Sequence, residues 1–122
     1  KIYNLKLPGL VFVGNRKSYY LFAVKERPSD KYCDLYYPPL PNIYADGQIC
    51  QGDLNLPPPT KKNIRSSFDL IFKARFTNHL AQFRCVSHPT NIYALWEKIE
   101  RADDFPYNEL VPVNVSLPEV WK

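Results

Sequence analysis

The sequence predicts an α+β fold, because strand-like segments come first, a long proline-rich loop follows, and helix-like segments come last. Three short segments in the first third of the chain are rich in β-branched and aromatic residues. Two later segments carry apolar residues at helical spacing. Strands and helices that are segregated along a chain are typical of α+β domains.

The strand predictions rest on residue type and alternation. Residues 9–13 are apolar and include two β-branched valines. Residues 14–17 predict a turn and residues 18–25 a second strand, so the pair indicates a hairpin. After a break at Pro28, residues 31–37 alternate well enough to predict a third strand. The expected sheet is therefore an antiparallel meander of three strands.

A loop-like stretch covers residues 38–59, with prolines at both ends and Asp46-Gly47 between them. A loop of this length inside a compact domain is usually functional or disordered. Its apolar members indicate that it packs on the domain, which favours function: Ile43, Tyr44, Ile49, Leu54 and Leu56.

Helical spacing follows the prolines. Thr60 is a suitable N-cap for a helix that runs to about residue 76, and a second helix is expected from about Asn91. Residues 103–122 contain three prolines and alternating valines, which predicts an extended tail over the surface. The apolar faces of the two helices are Ile64, Phe68, Ile71 and Phe72, then Ile92, Leu95, Trp96 and Ile99.

Composition limits the function classes. A chain of 122 residues with 45% hydrophobic residues suits one domain over residues 1–122. Because the sequence has no initiator Met, it could be the C-terminal part of a longer protein. No apolar run approaches the roughly 20 residues of a membrane span. Three cysteines, an odd number, argue against a secreted disulfide scaffold and favour the cytoplasm. The basic residues behind the net charge of +4 are scattered along the chain, so this charge is only weak evidence for a nucleic-acid partner.

Residues 40–54, LPNIYADGQICQGDL, resemble the active-site segment of ubiquitin-conjugating enzymes. In that family a His-Pro-Asn tripeptide precedes an Ile, a turn with Gly, an Ile-Cys pair and an acidic-apolar pair. The interval from Asn42 to Cys50 is eight residues, as in that family. The matching positions here are Pro41-Asn42-Ile43, Asp46-Gly47, Ile49-Cys50 and Asp53-Leu54.

The resemblance implies that Cys50 carries a ubiquitin-like protein as a thioester. Such a thiol must be accessible on a rigid loop, and the side-chain amide of Asn42 could donate a hydrogen bond to the oxyanion that forms. The alternatives are that Cys50 is a small buried hydrophobe and that Asn42 is a turn residue bonded to its own backbone. Leu40 replaces the His of the tripeptide, so the loop must be held in another way. Asp53 is a candidate for activating the acceptor.

The pattern is most similar to a bacterial branch, PRTRC system protein B or prokaryotic family-D ubiquitin-conjugating-like proteins. This likeness is carried by four segments, residues 37–52, 76–79, 93–96 and 110–112. His79 lies one position away from the family's His, and Tyr44 is a further candidate for an auxiliary role. The resemblance implies a ubiquitin-conjugating-enzyme-like fold and three partners: a ubiquitin-like protein, a ThiF-type activating enzyme and a metal-dependent deubiquitinase-like peptidase. It implies no cofactor.

Other functions stay open at this point. Leu40 supports a catalytically silent scaffold that binds a ubiquitin-like protein, and the basic charge would suit a nucleic-acid adaptor. Cys85 and His88 have the spacing of half a metal site, but a second close pair is missing, so no metal is predicted.

Overall fold

The computed structural model describes residues 5–15, 18–25, 34–51, 56–73 and 83–113. The described elements form the α+β arrangement that the sequence predicts. None of the helices in these ranges is both long enough and apolar enough to cross a membrane. The elements are the strands β1 (Gly9–Asn15) and β2 (Ser18–Val24), the helices α1 (Ile64–Lys73) and α2 (Ile92–Glu100), and a 3-10 helix (Tyr107–Glu109).

The predicted hairpin is confirmed. Strands β1 and β2 pair antiparallel, from Asn15 opposite Ser18 to Gly9 opposite Val24. The pairing extends β1 by two residues into the segment predicted as a turn, Gly14 and Asn15.

The predicted third strand is wrong over the part that can be seen. Residues 31–33, including Cys33, lie outside the described residues, and Tyr36 makes only isolated bridges, to Ala23 and Pro112. Pro38 and Pro39 follow immediately and have no backbone N–H with which to continue a ladder. Across the described ranges the sheet therefore has two strands, β1 and β2.

Strand β2 buries both of its faces because its side chains alternate between two apolar clusters. Tyr19, Leu21 and Ala23 pack in the larger cluster, with the buried face of α2. Phe22 and Val24 point to the other side, against Leu35 and Val113. Burying one large apolar side chain stabilises a fold by about 1.5–3 kcal/mol, so β2 is the centre of the packed structure.

Both helices begin where the sequence indicates. The Thr60 hydroxyl accepts a hydrogen bond from the Asn63 N–H at 3.3 Å, and α1 follows from Ile64. The predicted continuation of α1 beyond Lys73 lies outside the described residues. Helix α2 follows Asn91, and its predicted apolar face is buried: Ile92, Leu95, Trp96 and Ile99.

The prediction of an extended surface tail is wrong for residues 103–113. This segment contains the 3-10 helix and buries Phe105, Leu110 and Val113. Its end lies beside residues 35–37, where Pro112 bridges to Tyr36 and the Val113 N–H donates to the Leu35 carbonyl at 3.1 Å. Burial of the apolar side chains favours packing of this segment on the core, and its prolines do not prevent that packing. Residues 114–122 lie outside the described part.

Candidate active site

A buried proline segment leads into the candidate site. Pro38, Pro39 and Pro41 are fully buried, and Leu40 is buried within the larger apolar cluster. These prolines have no N–H groups to bond to the rest of the fold. The segment is bonded to α2 through a carbonyl instead, because the Trp96 indole N–H donates to the Pro39 carbonyl at 2.7 Å.

The segment before Cys50 is a small hairpin, Ile43 to Ile49, which we call the site hairpin. Ile43 and Ile49 lie opposite each other, and the Tyr44 N–H donates to the Gln48 carbonyl at 2.8 Å. Asp46 stabilises the turn by accepting the Gln48 N–H at 3.0 Å. Gly47 occupies the left-handed region, at φ 90°.

The second arm of the site hairpin is bonded to β2. The Ile49 N–H donates to the Tyr19 carbonyl at 2.8 Å, and the Leu21 N–H donates to the Gly47 carbonyl at 3.0 Å. The hairpin therefore continues the sheet beside β2 over a few residues. Since β2 is buried on both faces, this pairing gives the segment before Cys50 a rigid support.

Cys50 and Asn42 are backbone neighbours across the base of the site hairpin. The Cys50 N–H donates to the Asn42 carbonyl at 2.8 Å. Cys50 is partly exposed, so its thiol is not sealed in the core. Asn42 has φ 66°, a left-handed conformation that Asn adopts more readily than most residues. This backbone requirement is one reason for an Asn here, and it leaves the side-chain role open.

Tyr44 lies close to the sulfur of Cys50. Its hydroxyl donates to Sγ at 3.4 Å, and the ring is exposed to solvent. The pKa of Tyr44 is raised above its usual 10.0, because its hydroxyl bonds to Cys50 and a charged sulfur would repel a phenolate. Tyr44 therefore keeps its proton near neutral pH and can donate it toward a thiolate.

Two residues outside the predicted site residues hold the other arm of the site hairpin. The Arg84 guanidinium donates to the Ile43 carbonyl at 2.7 Å, and the Tyr37 hydroxyl donates to the Ala45 carbonyl at 2.6 Å. Arg84 also lies over the Tyr37 ring, 4.2 Å from its centroid. Burial lowers the pKa of Arg84, and the nearby Tyr37 opposes that shift. Removing a charge from water costs on the order of several kcal/mol, so these contacts must offset a real penalty.

The short segment that presents Arg84 is itself anchored. The Glu109 carboxylate accepts the Ser87 N–H at 2.8 Å and a bond from Lys98 at 3.3 Å, and the Glu109 carbonyl accepts the Val86 N–H. Burial alone would favour the neutral acid, but the bonds from Ser87 and Lys98 keep the pKa of Glu109 below its usual value. The segment around Arg84 is thus fixed to the 3-10 helix.

Cys85 and His88, which have the spacing of half a metal site, contact each other through the backbone of His88. The Cys85 thiol is buried and donates to the His88 backbone carbonyl at 3.2 Å. Burial raises the pKa of Cys85, which makes this thiol less reactive. Within the described ranges, no three His, Cys, Asp or Glu side chains lie together as metal ligands would.

The structure thus brings together three of the five candidate residues: Cys50, Asn42 and Tyr44. Asp53 and His79 lie outside the described residues, so their roles stay predictions. Arg84 was missed because it reaches the hairpin from another part of the chain, and the contact of Tyr37 with Ala45 was missed although Tyr37 lies within residues 37–52. Arg84 is 41 positions from Ile43, and no local pattern announces such a contact.

A comparison with protein families decides what kind of protein this site belongs to. The family described as prokaryotic E2 family D matches residues 2–113, which is nearly the whole chain. The chain belongs to prokaryotic E2 family D. Family D membership makes this an E2-like protein, and proteins of that kind interact in general with a ubiquitin-like protein and an activating enzyme. Neither the curated proteins nor the solved structures gave a match.

Proposed function

We propose that this protein carries a ubiquitin-like protein as a thioester on Cys50 and transfers it to an amine. The observation that carries the proposal is the presentation of Cys50, which is partly exposed while the backbone around it is bonded to Asn42 and to β2. A large thioester and an amine must both reach the sulfur, so the thiol needs exposure and a fixed position together. Membership of family D is consistent with this chemistry.

The proposed reaction has two steps. First, the Cys50 thiolate attacks the C-terminal carbonyl of the ubiquitin-like protein, held as a thioester on the activating enzyme. A new C–S bond forms, and the activating enzyme's sulfur leaves as a thiolate. Second, an amine attacks the same carbon, an amide bond forms, and the Cys50 sulfur leaves while the amine proton passes to water. Each step passes through a tetrahedral oxyanion.

Two neighbours of Cys50 suit this chemistry. Tyr44 donates toward the sulfur and stabilises it when it is a thiolate, both before attack and after release. The backbone bond from Cys50 to Asn42 keeps the two residues adjacent. The side-chain amide of Asn42 is the candidate donor to the oxyanion. Cys50 is the nucleophile in this proposal.

The proposal also covers the setting of the reaction. It includes a ubiquitin-conjugating-enzyme-like fold, a ThiF-type activating enzyme as the donor and a metal-dependent deubiquitinase-like peptidase as a further partner. It assigns the protein to the reducing cytoplasm, where a free thiol persists. The two-stranded sheet followed by two helices is compatible with that fold.

A charging assay tests the function. Wild-type protein incubated with its activating enzyme, ATP and the ubiquitin-like protein should form an adduct that dithiothreitol releases. Peptide mapping of the unreduced adduct should locate it on Cys50, and Cys85→Ser should charge normally because the Cys85 thiol is buried. An adduct on another residue, or none with active partners, contradicts the proposal.

Substitution of Asn42 separates its two possible roles. Asn42→Gly keeps the left-handed backbone accessible while removing the amide, and Asn42→Asp keeps the side-chain shape without its N–H donors. If the amide stabilises the oxyanion, both variants should slow transfer to free lysine by about 100- to 1,000-fold, measured in single turnover from preformed thioester. Wild-type transfer by Asn42→Gly would leave Asn42 only its turn role.

A second candidate function is a catalytically silent scaffold that binds a ubiquitin-like protein in a bacterial or plasmid-associated system. Leu40 favours it, because this residue replaces the tripeptide His and is buried in the apolar cluster. The two functions differ in one measurable respect. A scaffold would bind the ubiquitin-like protein equally well in wild type and Cys50→Ala, and it would form no reductant-sensitive adduct.

A further inference from the structure

The site hairpin is supported along both of its long edges, and the two supports differ in kind. On the inner edge, backbone bonds join Gly47 and Ile49 to β2. On the outer edge, side chains do the bonding, from Arg84 to the Ile43 carbonyl and from Tyr37 to the Ala45 carbonyl. We propose that Arg84 and Tyr37 act as a clamp that positions the Asn42–Cys50 pair for transfer.

The outer carbonyls are available because of how the hairpin pairs. Ile43 and Ile49 lie opposite each other, but the bonds across the hairpin run from Tyr44 to Gln48 and from Cys50 to Asn42. The backbone carbonyl of Ile43 therefore faces away from the other arm, where a further strand would sit in a larger sheet. The Arg84 guanidinium takes the place of that strand's donor.

Each side chain of the clamp bonds the carbonyl of a residue that directly follows a contact residue of Cys50. Arg84 fixes Ile43, and the preceding Asn42 accepts the Cys50 N–H. Tyr37 fixes Ala45, and the preceding Tyr44 donates to the Cys50 sulfur. Since the Arg84 guanidinium also stacks on the Tyr37 ring, movement of either side chain would disturb both carbonyls.

The clamp accounts for a loop in which Leu40 occupies the position of an organising histidine. The Leu40 side chain is buried and apolar, so it cannot hydrogen-bond to the loop backbone as a histidine side chain could. The neighbouring prolines cannot donate either. Arg84 comes from a segment that is anchored to Glu109, and it supplies a planar, permanently charged donor from outside the loop.

The catalytic consequence rests on the proposed function, but the clamp itself can be tested without it. In Arg84→Met, the amide hydrogens of Tyr44 and Cys50 should exchange about 10-fold faster than in wild type, because the outer edge loses its charged donor. Arg84→Lys should restore part of this protection, since it keeps the charge but not the planar geometry. Tyr37→Phe should release only the Ala45 side and keep the ring under Arg84.

The transfer assay supplies the second readout. Arg84→Met should lower the rate of transfer from the Cys50 thioester about 10-fold with little change in KM for the amine, because geometry and not amine binding is altered. Arg84→Lys should recover part of that rate. Equal effects on KM and on the rate constant would overturn the positioning role.

A core variant serves as the matched control. Ile99→Val removes one methylene from the buried face of α2, which is remote in sequence from the hairpin. It should lower the urea midpoint without selectively accelerating amide hydrogen exchange at Tyr44 and Cys50. If Arg84→Met accelerates hydrogen exchange at these two amides no more than Ile99→Val does, the clamp proposal is wrong. If Arg84→Met does not fold, Arg84→Lys and Tyr37→Phe decide by the same exchange measurement. Failure of wild type to form a thioester would defeat the proposed function and leave the exchange result standing.

Discussion

Cys50→Ser should lose the reductant-sensitive adduct completely. The change replaces sulfur with oxygen at a partly exposed position, so the fold has no reason to respond. A serine hydroxyl is almost fully protonated at neutral pH and is a poor nucleophile without a positioned base. Any adduct that forms should be an oxyester, which resists dithiothreitol, and transfer to lysine should fall by ~1,000-fold or more, as removal of a covalent nucleophile does elsewhere.

The measurement compares single-turnover transfer in wild type, Cys50→Ser and Cys85→Ser. Cys85 makes a suitable control because its thiol is buried and its hydrogen bond to the His88 carbonyl can be kept by a hydroxyl. Cys85→Ser should behave as wild type in charging and in transfer. Normal transfer by Cys50→Ser, with the same reductant sensitivity, would remove Cys50 from the reaction.

Gly47→Ala should be the most destabilising single-methyl change in the site hairpin. Gly47 has φ 90°, where a side chain strains the backbone, and an added Cβ would lie 2.1 Å from the Phe22 ring. Phe22 is fully buried at the centre of β2, so it has no free space to enter. Backbone strain and overpacking together should lower the free energy of unfolding by about 3 kcal/mol or more.

Urea unfolding of Gly47→Ala and Gly9→Ala tests this expectation. Gly9 lies at the start of β1 in an exposed position, and a Cβ there would meet one Val24 methyl group at 3.1 Å. Gly9→Ala should therefore change the unfolding free energy little. If Gly47→Ala unfolds at the wild-type midpoint, the close approach of the hairpin to Phe22 is wrong. If it folds with reduced stability, Cys50 should charge more slowly, because its support has moved.

Much of the fold follows from short-range sequence signals. The β1–β2 hairpin follows from two apolar runs separated by turn residues, and α2 follows from four apolar residues at helical spacing after Asn91. The third strand was a wrong prediction, because alternation around Tyr36 cannot outweigh the two prolines that come next. The tail prediction failed for a related reason, since proline content says nothing about whether Phe105 and Leu110 can reach the core.

The sequence by itself determined the family and the candidate nucleophile. The eight-residue interval from Asn42 to Cys50 lies within one segment, so the resemblance to the family can be recognised without a structure. The spacing names the residues, but the backbone bond from Cys50 to Asn42 in the folded hairpin is what brings them together.

Only the tertiary structure decided how that segment is held. Partial exposure of Cys50, the contacts made by Tyr44 and Tyr37, and the support from Arg84 depend on how the segment folds and on what packs against it. A buried carbonyl requires a donor but does not specify where in the chain the donor lies. The sequence could therefore indicate that the loop needed another support, while the fold alone selected Arg84, 41 positions from the Ile43 carbonyl that it bonds.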